Sequence, residues 1–300
     1  MKKTIFFILL AVSLISAGCG GGGGGGGVDT PSIVRPSYSD LTNLASPVRM
    51  DIGSVTSFNN STADYPATTL TPQITANASS LASITIVIPE LGVNDTYTSA
   101  DVVSTGVIGN MTIPIIDAVK TSGGVTREFV YIQPATSSSL RYSSLGIWRQ
   151  TDASSLTDMA FISFGSKTAG SDIPTAGTAT YTGAILGFAT EGVGANYTIK
   201  APAIAIADFG ARSVMLASTL SIKTDQATLL TSSDNNYNLS GTLTYAAGNN
   251  ALSGTISTVG KTGTATGVFY GPQAAEIGGT FRTSEAGGTK MFAGGFGLKQ

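Results

Sequence analysis

The sequence predicts an all-β protein, an N-terminal β-sheet domain followed by an eight-stranded antiparallel β-barrel, on three observations. First, only 11% of the 300 residues are charged while 42% are hydrophobic and 38 are Gly, which is not the Ala, Leu, Glu and Lys balance of a helical protein. Second, residues 48–170 hold short β-rich runs bounded by turn residues, with no stretch long enough for an ordinary helix. Third, from Gly177 onwards apolar, small and Thr-rich runs recur between closely spaced turns, the rhythm of a meander.

Residues 1–18 read as a secretory signal, because Lys2 and Lys3 precede an apolar run over 4–15 that is too short to span a bilayer as a mature helix. The signal ends at Ser16-Ala17-Gly18-Cys19, small residues before the single cysteine, with Ser16 where Leu is common. Cys19 is therefore the expected lipid-attachment residue and mature amino terminus. Each buried methylene contributes about 0.8 kcal/mol, so two or three chains such as palmitate amount to permanent anchoring. Residues 20–27 are all glycine, a flexible leash of roughly 16 Å r.m.s. span. Position 20 is Gly and not the Asp that commonly retains proteobacterial lipoproteins in the inner membrane, so the expected address is the outer membrane. Residues 28–47 are polar and proline-punctuated, which makes 19–47 the lipidated cysteine and linker. Loss of Lys2 and Lys3 from the 16 basic residues leaves 14 against 18 acidic ones, a net charge of −4 that attracts no nucleic acid. With one cysteine there is no intramolecular disulfide, and burial must hold the fold.

Within 48–174, the first β-domain, strands are read at 82–89, 127–133, 140–150 and 159–164. Within 175–300 they are read at 178–188, 196–207, 212–222, 237–245, 250–258, 264–270, 277–284 and 289–298. Eight antiparallel strands suffice to close a small barrel with a side-chain-filled interior. Residues 226–231 read either as a ninth short strand or as part of a long loop. Gly183, Gly187, Gly241, Gly254, Gly267, Gly279 and Gly295 fall inside the runs, where they weaken a flat strand but relieve crowding in a coiled one, and closure explains them. Pro202 cannot donate a ladder hydrogen bond and is expected at a bulge or an edge. Turn residues at 208–210, 233–236 and 248–250 agree with these strand ends.

Residues 264–281 read TATGVFYGPQAAEIGGTF and residues 294–299 read GGFGLK. This resembles the closing signature of the barrel in transferrin-binding protein B and its relatives. IPTAGTATYTG over 173–183 is similar to the segment that leads into that barrel, and LGIW at 145–148 with FISFG at 161–165 resembles the end of the handle sheet before it. The resemblance covers residues 140–300, with Leu298 where Ala is common. Physically, Pro272 fixes φ at a first turn, Ala274 and Ala275 favour one helical turn, and Gly278 and Gly279 admit close backbone approach, a segment able to plug a barrel mouth. The resemblance implies one handle (48–174) plus barrel (175–300) lobe, where transferrin-binding protein B has two, on a surface lipoprotein that binds a macromolecule or its cargo as a co-receptor for iron or another nutrient. The partners so implied are the membrane through the lipid, a host or environmental protein or its cargo, and an outer-membrane transporter. Partner identity does not travel with a fold.

The chain has no histidine, which removes Ser-His-Asp and Cys-His catalysis, the common zinc sites and a His-ligated haem, and its sole thiol is assigned to lipid. No catalytic residue, metal ligand or cofactor is read from it, and the expectation is a protein that is not an enzyme. GTISTVGKT over 254–262 resembles a phosphate loop, but five residues separate Gly254 from Gly260 and a strand follows where the motif needs a helix, so it reads as a hairpin turn. Asp234-Asn235-Asn236-Tyr237-Asn238 begins like a calcium loop, yet Leu239 and Tyr245 stand where Gly and Glu belong, which leaves a polar loop. Glu276, the one acid of the signature, is either a ligand contact or, more simply, a local structural acceptor. Trp148, Tyr142 and Phe161 are either interface anchors or core, and their place in alternating strands favours core. Two other functions compete with the binding lipoprotein. A porin-like membrane barrel is opposed by the lipidation cysteine and the Lys299-Gln300 end. A structural or envelope-maintenance lipoprotein without external ligand is separated only by location. Ligand-binding residues are expected on loops and are not marked one by one.

Overall fold

A computed structural model describes residues 36–59, 65–108, 111–135, 140–153, 155–192, 195–288 and 290–300. The signal, Cys19 and the glycine leash lie outside the described residues. Pro36–Gln300 forms one compact unit. It is all-β, and the only helices among the described residues are three-residue 3-10 turns.

The handle is two antiparallel sheets. One orders Val48–Arg49, Gln73–Ala76, Ser83–Ile88 and Val93–Thr98. The other, of seven strands, orders Ala67–Thr68, Asp51–Asn59, Ser155–Gly165, Ser143–Asp152, Val125–Ile132, Met111–Ser122 and Val102–Ile108. SITIVI over Ser83–Ile88 alternates with the period of a strand, so Ile84, Ile86 and Ile88 point one way and are fully buried. They meet Phe129, Trp148 and Phe164 of the larger sheet in one cluster. Each such side chain contributes about 1.5–3 kcal/mol by leaving water. The linker joins this core too, since Leu41 is fully buried in it and Asp40 pairs with Arg141 at 2.5 Å.

Thr178–Thr190 pairs with Asn196–Asp208 on one side and with Met291–Lys299 on the other, and this closes the barrel. Ser213–Ser218, Ser240–Thr244, Ala251–Thr258, Lys261–Tyr270 and Glu276–Ser284 complete eight antiparallel strands, each near the position expected from sequence. The interior is filled by one apolar cluster that includes Tyr181, Ile185, Leu216, Leu243, Phe269 and Phe281. Among the described residues this interior is packed with side chains rather than open as the aqueous lumen of a porin is.

Pro202 sits where one edge of its strand changes partner. Residues 203–208 pair with Ser213–Ser218, whereas 197–200 pair with Ile222–Asp225. The Pro202 carbonyl accepts from Thr219 N at 3.2 Å on that edge, so the missing N–H falls in the gap between partners, where no ladder bond is lost. The strand expected over 212–222 is therefore two strands. The second, Ile222–Asp225, folds back on Thr231–Ser233 as a hairpin beside the barrel, and the undecided stretch 226–231 is mostly its turn. Glycine serves two purposes. A Cβ at Gly254 would stand 2.0 Å from the Thr242 carbonyl oxygen of the next strand, as crowding in a coiled sheet predicts. At Gly295 it would stand 2.2 Å from Leu145 Cδ1, which belongs to the handle.

The second face of the seven-stranded sheet packs on the barrel. Ile132, Leu140 and Leu145 meet Ala184 and Leu186, and Phe58, Met159 and Phe161 meet Phe188 and Met291. Hydroxyls line the same seam: Ser54 Oγ bonds Thr266 Oγ1 at 2.6 Å and Thr280 Oγ1 at 2.5 Å, and Ser163 Oγ bonds Tyr270 Oη at 2.8 Å.

Candidate binding surfaces

One barrel mouth is closed by the signature segment. Pro272–Ala274 makes the single turn that the sequence leads one to expect, but it is left-handed, with φ +54° at Gln273 and +59° at Ala274. That conformation costs a residue with a Cβ roughly 1–2 kcal/mol. It is held because Ala274 is fully buried in the barrel core and its carbonyl accepts from Tyr181 Oη at 2.7 Å and Gln300 Nε2 at 3.0 Å.

Glu276 follows this plug and is 2% exposed. Its carboxylate accepts from the Arg141 and Tyr142 backbone N–H groups and from Ser143 Oγ at 2.7 Å. All three donors lie where the handle strand Ser143–Asp152 begins, so Glu276 ties handle to barrel. Burial pushes its carboxyl from an ordinary 4.5 up to about 7, against the pull of those donors. It is a local acceptor whose carboxylate is taken up by those three donors.

The aromatics divide in the same sense. Trp148 and Phe161 are fully buried core residues. Tyr142 is half-buried, its ring packed where a Cβ on Gly271 would collide with it and covered by the Arg141 guanidinium at 5.7 Å. The phosphate-loop-like stretch is a hairpin turn, with Thr258 opposite Lys261 and Gly260 at φ +72°. The calcium-like stretch satisfies itself: Asp234 accepts from Asn236 N at 3.1 Å and Lys223 Nζ at 2.8 Å, and Asn238 Oδ1 from Ser221 Oγ at 2.9 Å. Among the described residues no group of three acids, histidines or cysteines could hold a metal ion.

The second mouth is closed by charge. Glu191 Oε1 accepts from Lys261 Nζ at 2.7 Å and Tyr237 Oη at 2.8 Å, and Lys261 lies 5.4 Å over the Tyr237 ring. Burial alone would raise the Glu191 carboxyl, but the Lys261 and Tyr237 hydrogen bonds and the lysine charges outweigh it and hold the group below the usual carboxylate range. Around this mouth run the loops that carry Val259, Leu229 and Leu230, exposed by 64%, 74% and 72%. Among the described residues no large apolar side chain is so exposed at the plugged mouth. Leu229 and Leu230 cap the extra hairpin. Asp225 Oδ1 accepts from Ala227 N at 2.9 Å and Thr228 N at 2.8 Å, and Leu229, at φ +58°, donates its N–H to the Asp225 carbonyl at 2.9 Å. The turn is thus fixed by its own hydrogen bonds while two leucines face water. Exposed leucine pairs leave no pattern in a sequence, because Thr-Leu-Leu-Thr reads equally well as a buried strand.

Residues 173–300 match the family model for the C-lobe and N-lobe β-barrels of Tf-binding protein B. No curated protein matches the chain by sequence. Among solved structures, a single-site mutant of the vaccine antigen transferrin-binding protein B from Haemophilus parasuis Hp5 aligns with 84% of this chain and 44% of its own, at 18% identity and TM-score 0.51. Intact Ap-TbpB, with N and C lobes, aligns over 83% of this chain and 46% of its own, at 16% identity and TM-score 0.52. The chain thus spans less than half the length of these two proteins. With its closed eight-stranded barrel, its sheet-rich handle and the match over 173–300, the chain has the fold of a transferrin-binding protein B lobe.

Proposed function

We propose that this is a lipid-anchored, surface-exposed outer-membrane lipoprotein that captures a macromolecule or its cargo by non-covalent binding, as a co-receptor in iron or nutrient acquisition, and that it is not an enzyme. The observation that carries this reading is the Leu229-Leu230 turn. Two adjacent leucines exposed by about three quarters, beside a charged mouth, support a surface that a partner covers. The similarity to lobes of proteins named for binding transferrin supports it, as do a signal and cysteine of lipoprotein type. In this reading Cys19 carries the lipid, the leash confines the lobe to a small volume near the membrane, and effective concentration favours delivery to a neighbouring outer-membrane transporter.

The test is capture from host serum or environmental fluid on immobilised residues 28–300, followed by mass spectrometry. A specific protein should be retained and then lost with Leu229→Ser/Leu230→Ser at unchanged melting temperature. Labelled palmitate should enter the native chain and not Cys19→Ser, and protease added to whole cells should degrade the protein. If nothing is retained, the protein is protease-protected and its deletion causes envelope defects, the envelope-maintenance reading replaces this one.

A further inference from the structure

A cavity of about 340 Å³ lies between the barrel-facing side of the handle sheet and the barrel strands Thr178–Thr190 and Asn196–Asp208. That volume is at the lower end of the range for small-molecule sites, about 300–1,000 Å³. One wall is apolar, with Ile147 and Phe161 from the handle and Leu186 and Phe188 from the barrel. The other is polar, because Ser104, Asp117, Glu128 and Arg149 come side by side from four handle strands, and Lys200 faces them from the barrel.

These polar groups are unevenly satisfied. Glu128, 8% exposed, is paired with Arg149, whose Nε and Nη2 both reach its Oε2. Asp117 has no such partner. Its Oδ2 accepts a long 3.3 Å bond from Ser104 Oγ, and its Oδ1, closed off from solvent, receives no N–H or O–H donor; the Glu128 carboxyl beside Asp117 can bond it only through a proton that the two share. A buried carboxylate oxygen left without a donor is destabilising, so the site is incomplete as it stands. Burial raises both carboxyls above the usual range, and Arg149 opposes this in each.

The geometry points to a binding site for a small amphipathic amine, its ammonium or guanidinium donating to Asp117 Oδ1 beside Glu128 and its short apolar body lying against Phe161, Leu186 and Phe188. The site is formed by both the handle and the barrel. The competing donor is a proton shared between Asp117 and Glu128, which would satisfy the oxygen and need no ligand.

The full chain carrying Cys19→Ser, which removes the lipid and touches none of the described residues, is titrated calorimetrically with n-pentylammonium, agmatine and phenethylammonium, against n-pentanoate and n-pentanol. At least one amine should bind saturably at one site while the acid and the alcohol do not. Affinity should rise with pH as Asp117 and Glu128, both raised by burial, ionise, in a site whose other facing charged side chains are Arg149 and Lys200. Asp117→Asn should weaken binding at least tenfold. Lys200→Met, at an exposed side chain, should tighten it severalfold by removing a competing cation, and it decides the matter if Asp117→Asn does not fold. Absence of saturable amine binding, equal binding of pentanol, or an affinity unmoved by either substitution overturns the proposal. A stabilised Asp117→Asn in a protein that binds no amine would assign the site to the shared proton instead.

Discussion

Over 183–190, 276–284 and 291–299 the barrel strands on the handle side are buried almost residue by residue, whereas 203–208 and Ser213–Ser218 on the free side largely alternate buried with less buried positions. All belong to one wall. The difference is the second neighbour: the handle-side strands have the barrel core on one face and the seven-stranded sheet on the other, while the free strands have water there. Glycine divides likewise, Gly254 yielding to an adjacent strand and Gly295 to Leu145 of the handle. Alternation therefore marks a barrel wall only where one face is wet. A run such as AILGFA at 184–189 marks where another layer docks.

The sharpest way to break this contrast is at Phe161, fully buried between the handle and the barrel. Phe161→Ala should destabilise the protein by about 3–5 kcal/mol, read from the midpoint of urea unfolding. A loss below about 1 kcal/mol would mean that apolar burial does not hold the two parts together.

Glu276 tests the polar side of the same junction. Glu276→Ala strands two backbone amides and the Ser143 hydroxyl, with an expected loss of about 3 kcal/mol. Its pH dependence follows from a carboxyl raised from 4.5 to about 7 in the folded state. Between those values the folded protein keeps a proton that the unfolded chain has released. The stability carried by the protonated group is thus full below pH 4.5 and is lost as pH rises to about 7. The fall should amount to about 3 kcal/mol at ~1.36 kcal/mol per pH unit, and Glu276→Gln should flatten it in unfolding curves taken across that window.

A smaller effect belongs to Ser54, whose hydroxyl joins the handle strand Asp51–Asn59 to Thr266 and Thr280. Ser54→Ala should cost about 1 kcal/mol, and a double-mutant cycle with Thr280→Val should show coupling. The smallest is on the free wall, where Met215 is 55% exposed. Met215→Ser should change stability by no more than about 0.5 kcal/mol. A larger loss would show that this wall is covered in solution, and sedimentation of the native protein would reveal by what.

The barrel was legible because its signals are local. Each strand after Thr178–Thr190 follows a short turn, and residues such as Gly248, Asn249 and Gly260 mark those turns where they occur. The exception, 212–222, broke at Thr219 and Leu220 because Pro202 on the facing strand ends one pairing and permits another, which is not written at 212–222 itself. The handle was less legible. Met111–Ser122 contains Pro114 and lacks alternation, and Asp51–Asn59 pairs with Ser155–Gly165 from far along the chain.

By itself the sequence determined the all-β class, the eight barrel strands and the likeness of 173–300 to a known barrel, because hydrophobic period, turn residues and the PQAAEIGG segment act over neighbouring residues. Only the tertiary structure decided that Glu276 is a buried tie, that Gly295 makes room for Leu145, that Leu229 and Leu230 face water and that one carboxylate oxygen of Asp117 is closed off without a donor. Each depends on whether surfaces from distant segments meet, and burial and hydrogen bonding are settled by that meeting rather than by the residue's own neighbours in the chain.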